Sequence, residues 1–489
     1  MPMRRTLAPC ALFAAFAFVL KGCEQTQRPP GGGNKGRAWL LETLPEDTSL
    51  ELVPGTRYTH EALISFLDDA KQKVDFSAMY WHLLSSECSA LRGRQLWEAI
   101  RGAAARGVKL RALCGTGISG TEELEKIQKE FPEQVTFQVY NASSWYGSGI
   151  MHMKLWIFDD YRTVITSANM DCESLSQVKE LGVALEGRSG FSVVEDVQRY
   201  FDRWWAWTNP SLEDSLKHPT MSVFDPVIQR QRTVPCWLKV KAGEPKCLDP
   251  LPDSTKTSYS RQQPMRLILN GSSAHSYITC SPAAVCDVPV ELYSHYVAGV
   301  GGRTWDADAL VQTIFSARRF VAISVMDFMP IAVYGAPGAW WPVLNDALLA
   351  KLSQGLEVRL LISRWAHTAK EMEGALQNLN AMAQSMGGSF QLRYFEVPGW
   401  NETGKHARYP PFSRVNHAKY IVTDNRFNIG TSNMEWSYFH TVAGTSFNSD
   451  NPLLRAQLVS IFNRDWNSGY AKPAHLPALA LHPPESLHT

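Results

Sequence analysis

The sequence predicts an α/β fold made of two repeated α/β/α lobes, each with a mixed, mostly parallel sheet, packed as a pseudo-twofold bilobal unit. Three observations predict it. Helical and strand-like segments alternate along the chain, the alternation occurs twice in the same order, and each round ends in a His-x-Lys motif with an aspartate five residues after the lysine. Such alternation is typical of layered α/β proteins, and a repeat along the chain indicates a duplicated structural unit.

Each lobe is predicted to begin in the order helix, strand, helix, strand. In the first half these segments are residues 60–70, 74–81, 95–105 and 108–114, and in the second they are residues 308–318, 320–328, 341–352 and 358–363. The motif segments predict hairpins, because apolar runs flank a polar turn. Their strands are residues 152–158 and 163–168 in the first half, and 417–423 and 427–432 in the second.

The domain organisation follows from this repeat. The chain has 489 residues, of which 45% are hydrophobic and 19% charged, which is enough for two domain-sized units with a sizeable core. We expect the N-terminal lobe at residues 38–234 and the C-terminal lobe at residues 264–475. A proline-containing irregular connection (residues 235–263) separates them, and residues 476–489 form a tail.

The N-terminus has the pattern of a targeting segment. Arg4 and Arg5 precede a short apolar stretch at residues 7–20, so residues 1–23 are interpreted first as a cleaved signal peptide and second as a signal anchor. Lipidation at Cys23 is a third alternative. Residues 24–37 are predicted to be a flexible tether. These patterns predict an exported or lumenal protein, either secreted or held at a membrane through its N-terminus.

Export makes disulfides and glycosylation relevant. The cysteines closest in sequence are Cys236 with Cys247 and Cys280 with Cys286, although spacing alone does not fix the pairing. Three N-x-S/T sequons also occur, at Asn141, Asn270 and Asn401. The net charge of +1 excludes a binder that attracts nucleic acid through overall basicity, so any such attraction must come from a local cleft.

The duplicated motif carries the chemistry. His152 and Lys154 in the first half recur as His417 and Lys419 in the second. Residues two apart on a strand point to the same face, so two facing strands would place two imidazoles and two ammonium groups around one point. A neutral imidazole can attack phosphorus, and a protonated one can donate to the leaving oxygen. The set suits the cleavage of a phosphodiester.

The residues around the motifs extend this prediction. Asn169 and Asn433, in the turns that follow the hairpins, are expected to bind the nonbridging phosphate oxygens together with the two lysines. Asp159 and Asp424 are expected to be structural, bracing a turn or a lysine. No metal or other cofactor is required by this set, and the sequence contains no H-E-x-x-H, G-x-S-x-G, Walker or cysteine–histidine zinc motif.

The paired motifs resemble the phospholipase D superfamily, in which two such motifs build one site between two halves. The segments at residues 167–171, 174–183, 414–417, 429–433, 443–446 and 462–466 are similar to one branch, that of the third and fourth mammalian phospholipase D members and their poxviral relatives. The resemblance covers about residues 38–475. It implies an endolysosomal 5′-exonuclease that degrades single-stranded DNA and RNA in an acidic lumen.

The resemblance also implies roles for single residues. His152 would be the nucleophile, forming a phosphohistidine, and His417 the general acid and base. Glu180 matches a family carboxylate that orients a catalytic imidazole. Its counterpart in the second half is Val442, so the two imidazoles are expected to be inequivalent. Thr166 stands where the family's first copy usually has glycine.

Substrate contacts and alternatives remain open from sequence. Three aromatic residues at the ends of the repeated strands are predicted to stack bases: Tyr80, Trp81 and Phe328. A phospholipase D or transphosphatidylase acting on glycerophospholipids is the alternative function, because the same covalent step serves both substrates. A noncatalytic binding protein is disfavoured by the presence of both histidines and both lysines. A homodimer is left open.

Overall fold

The computed structural model describes residues 33–86, 91–116, 121–238, 247–286 and 302–474. The predicted leader, with Cys23, and the tail lie outside the described residues, as do most of the tether and part of the connection between the lobes. These described residues belong to one compact unit. Within the described ranges, no helix is both long and apolar enough to cross a membrane.

The first half contains twelve strands among its described residues. They are β1 (Lys35–Thr43), β2 (Arg57–Tyr58), β3 (Lys73–Ser77), β4 (Trp81–His82), β5 (Lys109–Gly115), β6 (Val135–Tyr140), β7 (Leu155–Phe158), β8 (Arg162–Thr166), β9 (Met170–Asp171), β10 (Glu180–Glu186), β11 (Thr220–Asp225) and β12 (Arg230–Pro235). Its helices are α1 (Thr59–Asp69), α2 (Leu91–Ala105), α3 (Glu122–Glu130), α4 (Ala142–Tyr146), α5 (Cys172–Ser176), α6 (Ser192–Trp207) and α7 (Ser211–Ser215).

The second half repeats the core of this order. Its strands are β13 (Met265–Leu269), β14 (Ser272–Ile278), β15 (Phe320–Val325), β16 (Glu357–Ser363), β17 (Ser389–Phe395), β18 (Tyr420–Thr423), β19 (Phe427–Gly430), β20 (Ser446–Ser449) and β21 (Ala471–Pro473). Its helices are α8 (Asp306–Ser316), α9 (Val343–Leu352), α10 (Lys370–Ser385), α11 (Ser437–His440) and α12 (Pro452–Trp466). The helix–strand–helix–strand order predicted for each half is therefore confirmed.

The strands of the two halves are arranged in the same order and with the same directions. In the first, β10, β8, β7, β3, β5 and β6 lie side by side, with β3, β5 and β6 parallel and the others antiparallel. In the second, β20, β19, β18, β15, β16 and β17 repeat this pattern, again with only the last three parallel. The mixed sheet is confirmed, but "mostly parallel" was wrong, because each motif hairpin adds antiparallel pairs.

Two further expectations changed in detail. The motif strands begin at Leu155 and Tyr420, so each His-x-Lys segment precedes its strand instead of lying on it. The four residues of β7 are all buried, which explains the unbroken apolar run, since a strand covered on both faces shows no alternation. The structure pairs the cysteines that are closest in sequence, as Cys236–Cys247 and Cys280–Cys286, a connectivity that spacing alone left open.

The halves are joined by a common core and by backbone hydrogen bonds next to the motifs. Leu155 and Ile165 of the first hairpin belong to the same buried apolar cluster as Ile421 of the second. The amide of His152 donates to the carbonyl of Ala443 at 3.1 Å, and the amide of His417 donates to the carbonyl of Lys179 at 2.8 Å. Each motif histidine is therefore fixed at its backbone by the opposite half.

Candidate active site

The two motif histidines meet at the junction of the halves. The ring centroids of His152 and His417 are 6.2 Å apart, and the ring planes are inclined by 71°. Both imidazoles line one cavity of about 1040 Å³. Both residues are buried, so their electrostatic interactions are screened less than on an open surface. The structure thus brings together the two histidines that the sequence places 265 residues apart (417 minus 152).

The two imidazoles have different hydrogen-bond partners. His152 Nδ1 lies 2.8 Å from the carbonyl oxygen of Thr431, and only a protonated Nδ1 can donate to a carbonyl. The lone pair of the neutral ring is therefore on Nε2. His417 Nδ1 instead lies 2.9 Å and 3.0 Å from the two carboxylate oxygens of Glu180. A carboxylate favours the protonated imidazole, whereas a carbonyl oxygen fixes a neutral tautomer.

Glu180 is the first residue of β10 and has no exposed surface. Burial raises the pKa of its carboxyl to about 7, and the nearby Lys419 ammonium opposes this rise. Ser167 Oγ donates to the same carboxylate. The acid of the first half therefore orients the histidine of the second half, and Val442, at the equivalent place, gives His152 no such partner.

The surroundings of the two histidines shift the pKa values of their imidazoles. Burial lowers the pKa of the His152 imidazole well below its ordinary value, and the ammonium groups of Lys154 and Lys419 lower it further. Burial and the same ammonium groups also lower the pKa of His417, while the Glu180 carboxylate at 2.9 Å acts in the opposite direction. Burial thus drives both imidazoles towards the neutral form, and His152, with no carboxylate beside it, stays neutral in acid.

The two motif lysines are buried, and neither lines the cavity. Lys154 Nζ donates to the carbonyl of His152 at 2.8 Å, and Lys419 Nζ donates to the carbonyl of His417 at 2.6 Å. Burial lowers the pKa of Lys419 to about 8, against the pull of nearby carboxylates. Burial and the Lys419 ammonium also lower the pKa of Lys154. An anion bound between them would offset this mutual repulsion.

The two asparagines have unlike surroundings. Asn169 lines the cavity, and its Oδ1 is buried without a partner in the structure. Asn433 is fully buried, and its Nδ2 donates to Asp327 Oδ2 at 2.8 Å and to the Tyr438 hydroxyl at 3.0 Å. Asp327 and Tyr438 both line the cavity, so the Asn433 amide is held from the cavity side by these two residues.

The motif aspartates lie at the far end of the hairpins, in the turns. Asp159 accepts hydrogen bonds from the amides of Gln72 at 2.8 Å, Lys73 at 3.0 Å and Lys71 at 3.1 Å. Asp424 accepts from the amides of Arg318 at 3.0 Å and Arg319 at 3.1 Å. In each half the aspartate ties the hairpin turn to the backbone that enters the neighbouring central strand, and it does not contact the motif lysine.

Of the three predicted base-stacking residues, only Tyr80 lines the cavity. Trp81 packs against Phe76 at a centroid distance of 5.0 Å, and Phe328 pairs its backbone with Met434. Both are buried in the hydrophobic core, so their predicted role was wrong. The strand-end rule identified the correct end of the sheet. Successive side chains alternate in direction along the chain. The rings of Trp81 and Phe328, each next in sequence to residues that line the cavity, therefore point towards the core.

Sequence reasoning missed several residues of the cavity. Tyr438 packs edge-on against His152 at a centroid distance of 5.2 Å, and nothing in its local sequence marked it. Asp327 lies two residues after the end of β15, and burial raises the pKa of its carboxyl to about 6. The signal available for it was its position, which matches that of Tyr80 in the first half. In the described part of the chain, no group of three or more His, Cys, Asp or Glu side chains is arranged to hold a metal ion.

Comparisons with known proteins agree with this geometry. The family model described as "Cardiolipin synthase, PLD-like domain" matches residues 63–205, and the model described as "PLD3/4, PLD-like domain" matches residues 254–400. The 5′-3′ exonuclease PLD3 of Rattus norvegicus is 31% identical to the chain over 449 residues, covering 89% of this chain and 80% of that protein. The chain belongs to the phospholipase D superfamily, in its PLD3/4 branch.

Two other matches extend the comparison. A probable phospholipase D of Caenorhabditis elegans is 31% identical, covering 89% of this chain and 70% of that protein. Among solved structures, phosphatidylserine synthase of Haemophilus influenzae has a TM-score of 0.51 at 11% identity, covering 87% of this chain and 88% of that one. At that identity the likeness shows the fold alone.

Proposed function

We propose that this protein is a metal-independent 5′-to-3′ exonuclease that hydrolyses single-stranded DNA or RNA through a covalent phosphohistidine. The observation that carries the proposal is the arrangement of two unlike imidazoles at one cavity. His152 presents an unprotonated Nε2, fixed by the Thr431 carbonyl, and His417 is paired with a carboxylate. A double displacement at phosphorus requires these two kinds of group, a nucleophile and a proton donor.

In the first step, His152 Nε2 attacks phosphorus while the bond from phosphorus to the bridging 5′-oxygen breaks. His417 Nε2 donates its proton to that oxygen, so the departing strand carries a free 5′-hydroxyl. The terminal nucleotide stays bound through its 3′-phosphate to His152. The Thr431 carbonyl, 2.8 Å from Nδ1, stabilises the positive charge that the imidazole acquires as the N–P bond forms.

In the second step, the neutral His417 takes a proton from water as the water oxygen attacks phosphorus. The N–P bond breaks, the electron pair returns to His152, and a nucleoside 3′-phosphate leaves. Glu180 holds the imidazole of His417 in one orientation during both steps. The second proton transfer restores the starting state, so the cycle consumes one water molecule for each bond cleaved.

Four further residues are proposed to bind the phosphate. Lys154 and Lys419 supply positive charge at the buried end of the site, and Asn169 provides an amide group at the cavity wall. Asn433 would bind phosphate by exchanging its bonds to Asp327 and Tyr438. Asp159 and Asp424 are proposed to act on structure only, through the backbone amides that they bind in the turns. Tyr80 remains a candidate for stacking a base.

The similarity to a protein named 5′-3′ exonuclease PLD3 supports nucleic acid as the substrate. A relative named as a probable phospholipase D and the methionines on the cavity wall, Met79, Met326 and Met329, favour a glycerophospholipid as the second candidate. An acyl chain would pack well against such a wall. The phosphoryl chemistry would be unchanged.

The proposed location is an exported or endolysosomal compartment. The two disulfides among the described residues are typical of an oxidising compartment. Retention of the leader as a membrane tether, lipidation at Cys23 and association into a homodimer remain predictions from the sequence. An acidic lumen would suit a site in which His152 stays neutral at low pH.

A single comparison tests the proposal. Purified protein is incubated in EDTA with 5′-hydroxyl single-stranded oligonucleotides and, in parallel, with phosphatidylcholine or phosphatidylglycerol vesicles. We expect stepwise release of nucleoside 3′-phosphates from the 5′ end and little lipid turnover. Turnover of lipid without cleavage of oligonucleotide would support the second candidate. Complete loss of activity in EDTA would contradict the metal-independent mechanism.

A further inference from the structure

We infer that Trp365, His367 and Phe412 form an aromatic platform that stacks a base of the substrate strand as it enters the cavity. This inference deepens the proposed nuclease function and rests on it. All three residues line the same cavity as the catalytic histidines. None belongs to a repeated motif, and they come from two separate loops, one after β16 and one before the second motif.

The three rings form a compact surface. The rings of His367 and Phe412 are stacked, with centroids 4.5 Å apart and planes inclined by 12°. Trp365 meets the His367 ring edge-on at 4.9 Å. His367 is exposed, and Phe412 is 61% exposed. The rings are therefore packed against one another while remaining available to a planar ligand.

Phe412 occupies an unfavourable position in two respects. An exposed phenylalanine leaves apolar surface in water, and its φ of 60° is in the left-handed region, which bulky residues seldom adopt. Neither cost is offset by burial in the core, because most of the side chain is exposed. Residues kept in such conformations cluster at functional sites, and an exposed ring at a cavity is suited to stacking.

The loop that carries Phe412 is firmly held. Arg414 donates to the Pro398 carbonyl at 2.7 Å, to the Glu46 carbonyl at 2.8 Å and to the Gln177 side chain at 3.0 Å. Its guanidinium lies 4.0 Å from the centroid of the Tyr409 ring. Two of these bonds reach residues of the first half, so the loop is fixed across the junction and the platform is preorganised.

Two basic residues of this loop are engaged by protein groups. A basic residue before the second motif could attract a phosphate backbone, but Arg414 is buried and bonded to protein groups. Arg408 pairs with Glu402. Neither arginine is therefore available to a phosphate, and the aromatic rings provide a contact of a different kind with the strand. Stacking on such rings tolerates any base, because every base has a π face, which fits an enzyme that must remove successive nucleotides.

A base fits this surface better than an acyl chain does. Two nearly parallel rings beside an open face match a planar heterocycle, whereas an acyl chain gains little from ring orientation. Loss of one stacked base from an aromatic contact costs about 1–3 kcal/mol, or about 5- to 150-fold in affinity. Removing a ring of the platform should therefore raise KM for the strand and leave kcat almost unchanged.

The test uses the full-length protein, 5′-hydroxyl oligothymidylate, and four variants of this strand. Each variant carries a single abasic tetrahydrofuran unit, at the first, second, third or fourth position. We expect Phe412→Ala to raise KM about tenfold on the complete strand and Phe412→Trp to restore it. An abasic unit at one position should raise the wild-type KM similarly, and Phe412→Ala should add nothing there. Phe224→Ala, which removes another exposed phenylalanine outside the cavity wall, is the control.

Each outcome decides the inference. Equal KM values for wild type and Phe412→Ala on the complete strand, with Phe412→Leu behaving the same, would overturn it. If Phe412→Ala still raised KM on every one of the abasic strands, the inference would also be overturned, because the ring would then not act through a base. Absence of any oligonucleotide cleavage by the wild type would instead refute the proposed function. A larger effect of Phe412→Ala on phosphatidylglycerol than on the oligonucleotide would assign the platform to a lipid and reject the inference.

Discussion

Glu180 of the first half accepts a hydrogen bond from the imidazole of His417 in the second half, at 2.9 Å. The acid precedes the histidine by 237 residues in the chain, and it has no counterpart that could orient His152. The site is thus complete only when both halves are assembled, and its two imidazoles differ because one is paired with a carboxylate and the other with a carbonyl oxygen.

Removing the Glu180 carboxylate should impair catalysis and leave the fold intact. We expect Glu180→Gln to lower kcat about 10- to 100-fold, because the amide still holds the His417 ring but no longer favours its protonated form. Oligonucleotide cleavage under saturating conditions measures the effect. Glu186→Gln, on the same strand but paired with Arg37 and Arg162 and outside the cavity wall, is the control and should retain normal kcat. A normal rate for Glu180→Gln would contradict its positioning role.

The pH dependence should report the Glu180–His417 pair. The raised pKa of Glu180, about 7, means that the pair holds its transferable proton below that pH and loses it above. We therefore expect kcat/KM to fall about tenfold for each pH unit above 7, and to persist in acid because the lowered pKa of His152 keeps the nucleophile neutral there. A profile that rises above pH 8 would be incompatible with this pair as the proton donor.

The two motif histidines should act as a unit on ordinary substrates. His152→Ala and His417→Ala should each lower kcat by several orders of magnitude, because neither step proceeds without both groups. The measurement is single-turnover cleavage of a 5′-hydroxyl oligonucleotide. Exposed His406 belongs to a short 3₁₀ turn in the loop before the second motif, so His406→Ala is the control. Near-normal activity of either motif variant would show that the site is wrongly assigned.

Asp159 should contribute to stability and not to chemistry. Asp159→Ala loses three backbone hydrogen bonds to a charged acceptor and places alanine at a φ of 51°. We expect a loss of about 3 kcal/mol in the free energy of unfolding. Asp159→Asn, which tolerates the left-handed backbone, should lose less. Urea unfolding measures both variants, and kcat of the folded protein should be unchanged. A large fall in kcat without destabilisation would contradict the structural role.

Much of the fold could be predicted from the sequence because its signals are local. Helical periodicity identified α1 and α8, and apolar runs identified the strands beside them. The duplicated motif identified the four residues that define the site, since its spacing recurs. The direction of strand pairing could not be obtained in this way, because it depends on how the motif hairpins pack against β3 and β15, far away in sequence.

The rest of the site depends on contacts between distant segments. The partner of Glu180 could not be inferred, because nothing in the chain near residue 180 specifies which histidine it meets. Trp81 and Phe328 were misassigned since a strand end fixes the edge of the sheet but not the face on which each ring lies. Phe412 and His367 were missed because they come together only when two loops meet at the cavity.

The most direct measurement is mass spectrometry of a trapped covalent intermediate in His417→Ala, using the p-nitrophenyl ester of thymidine 3′-phosphate. This leaving group needs no proton, so the variant should still carry out the first step and release about one nitrophenolate per enzyme molecule. His152→Ala should release none. The account predicts a nucleotide attached through its phosphate to His152. Nitrophenolate release by His152→Ala with an adduct on His417, or no adduct in a His417→Ala variant that still turns over, would contradict it.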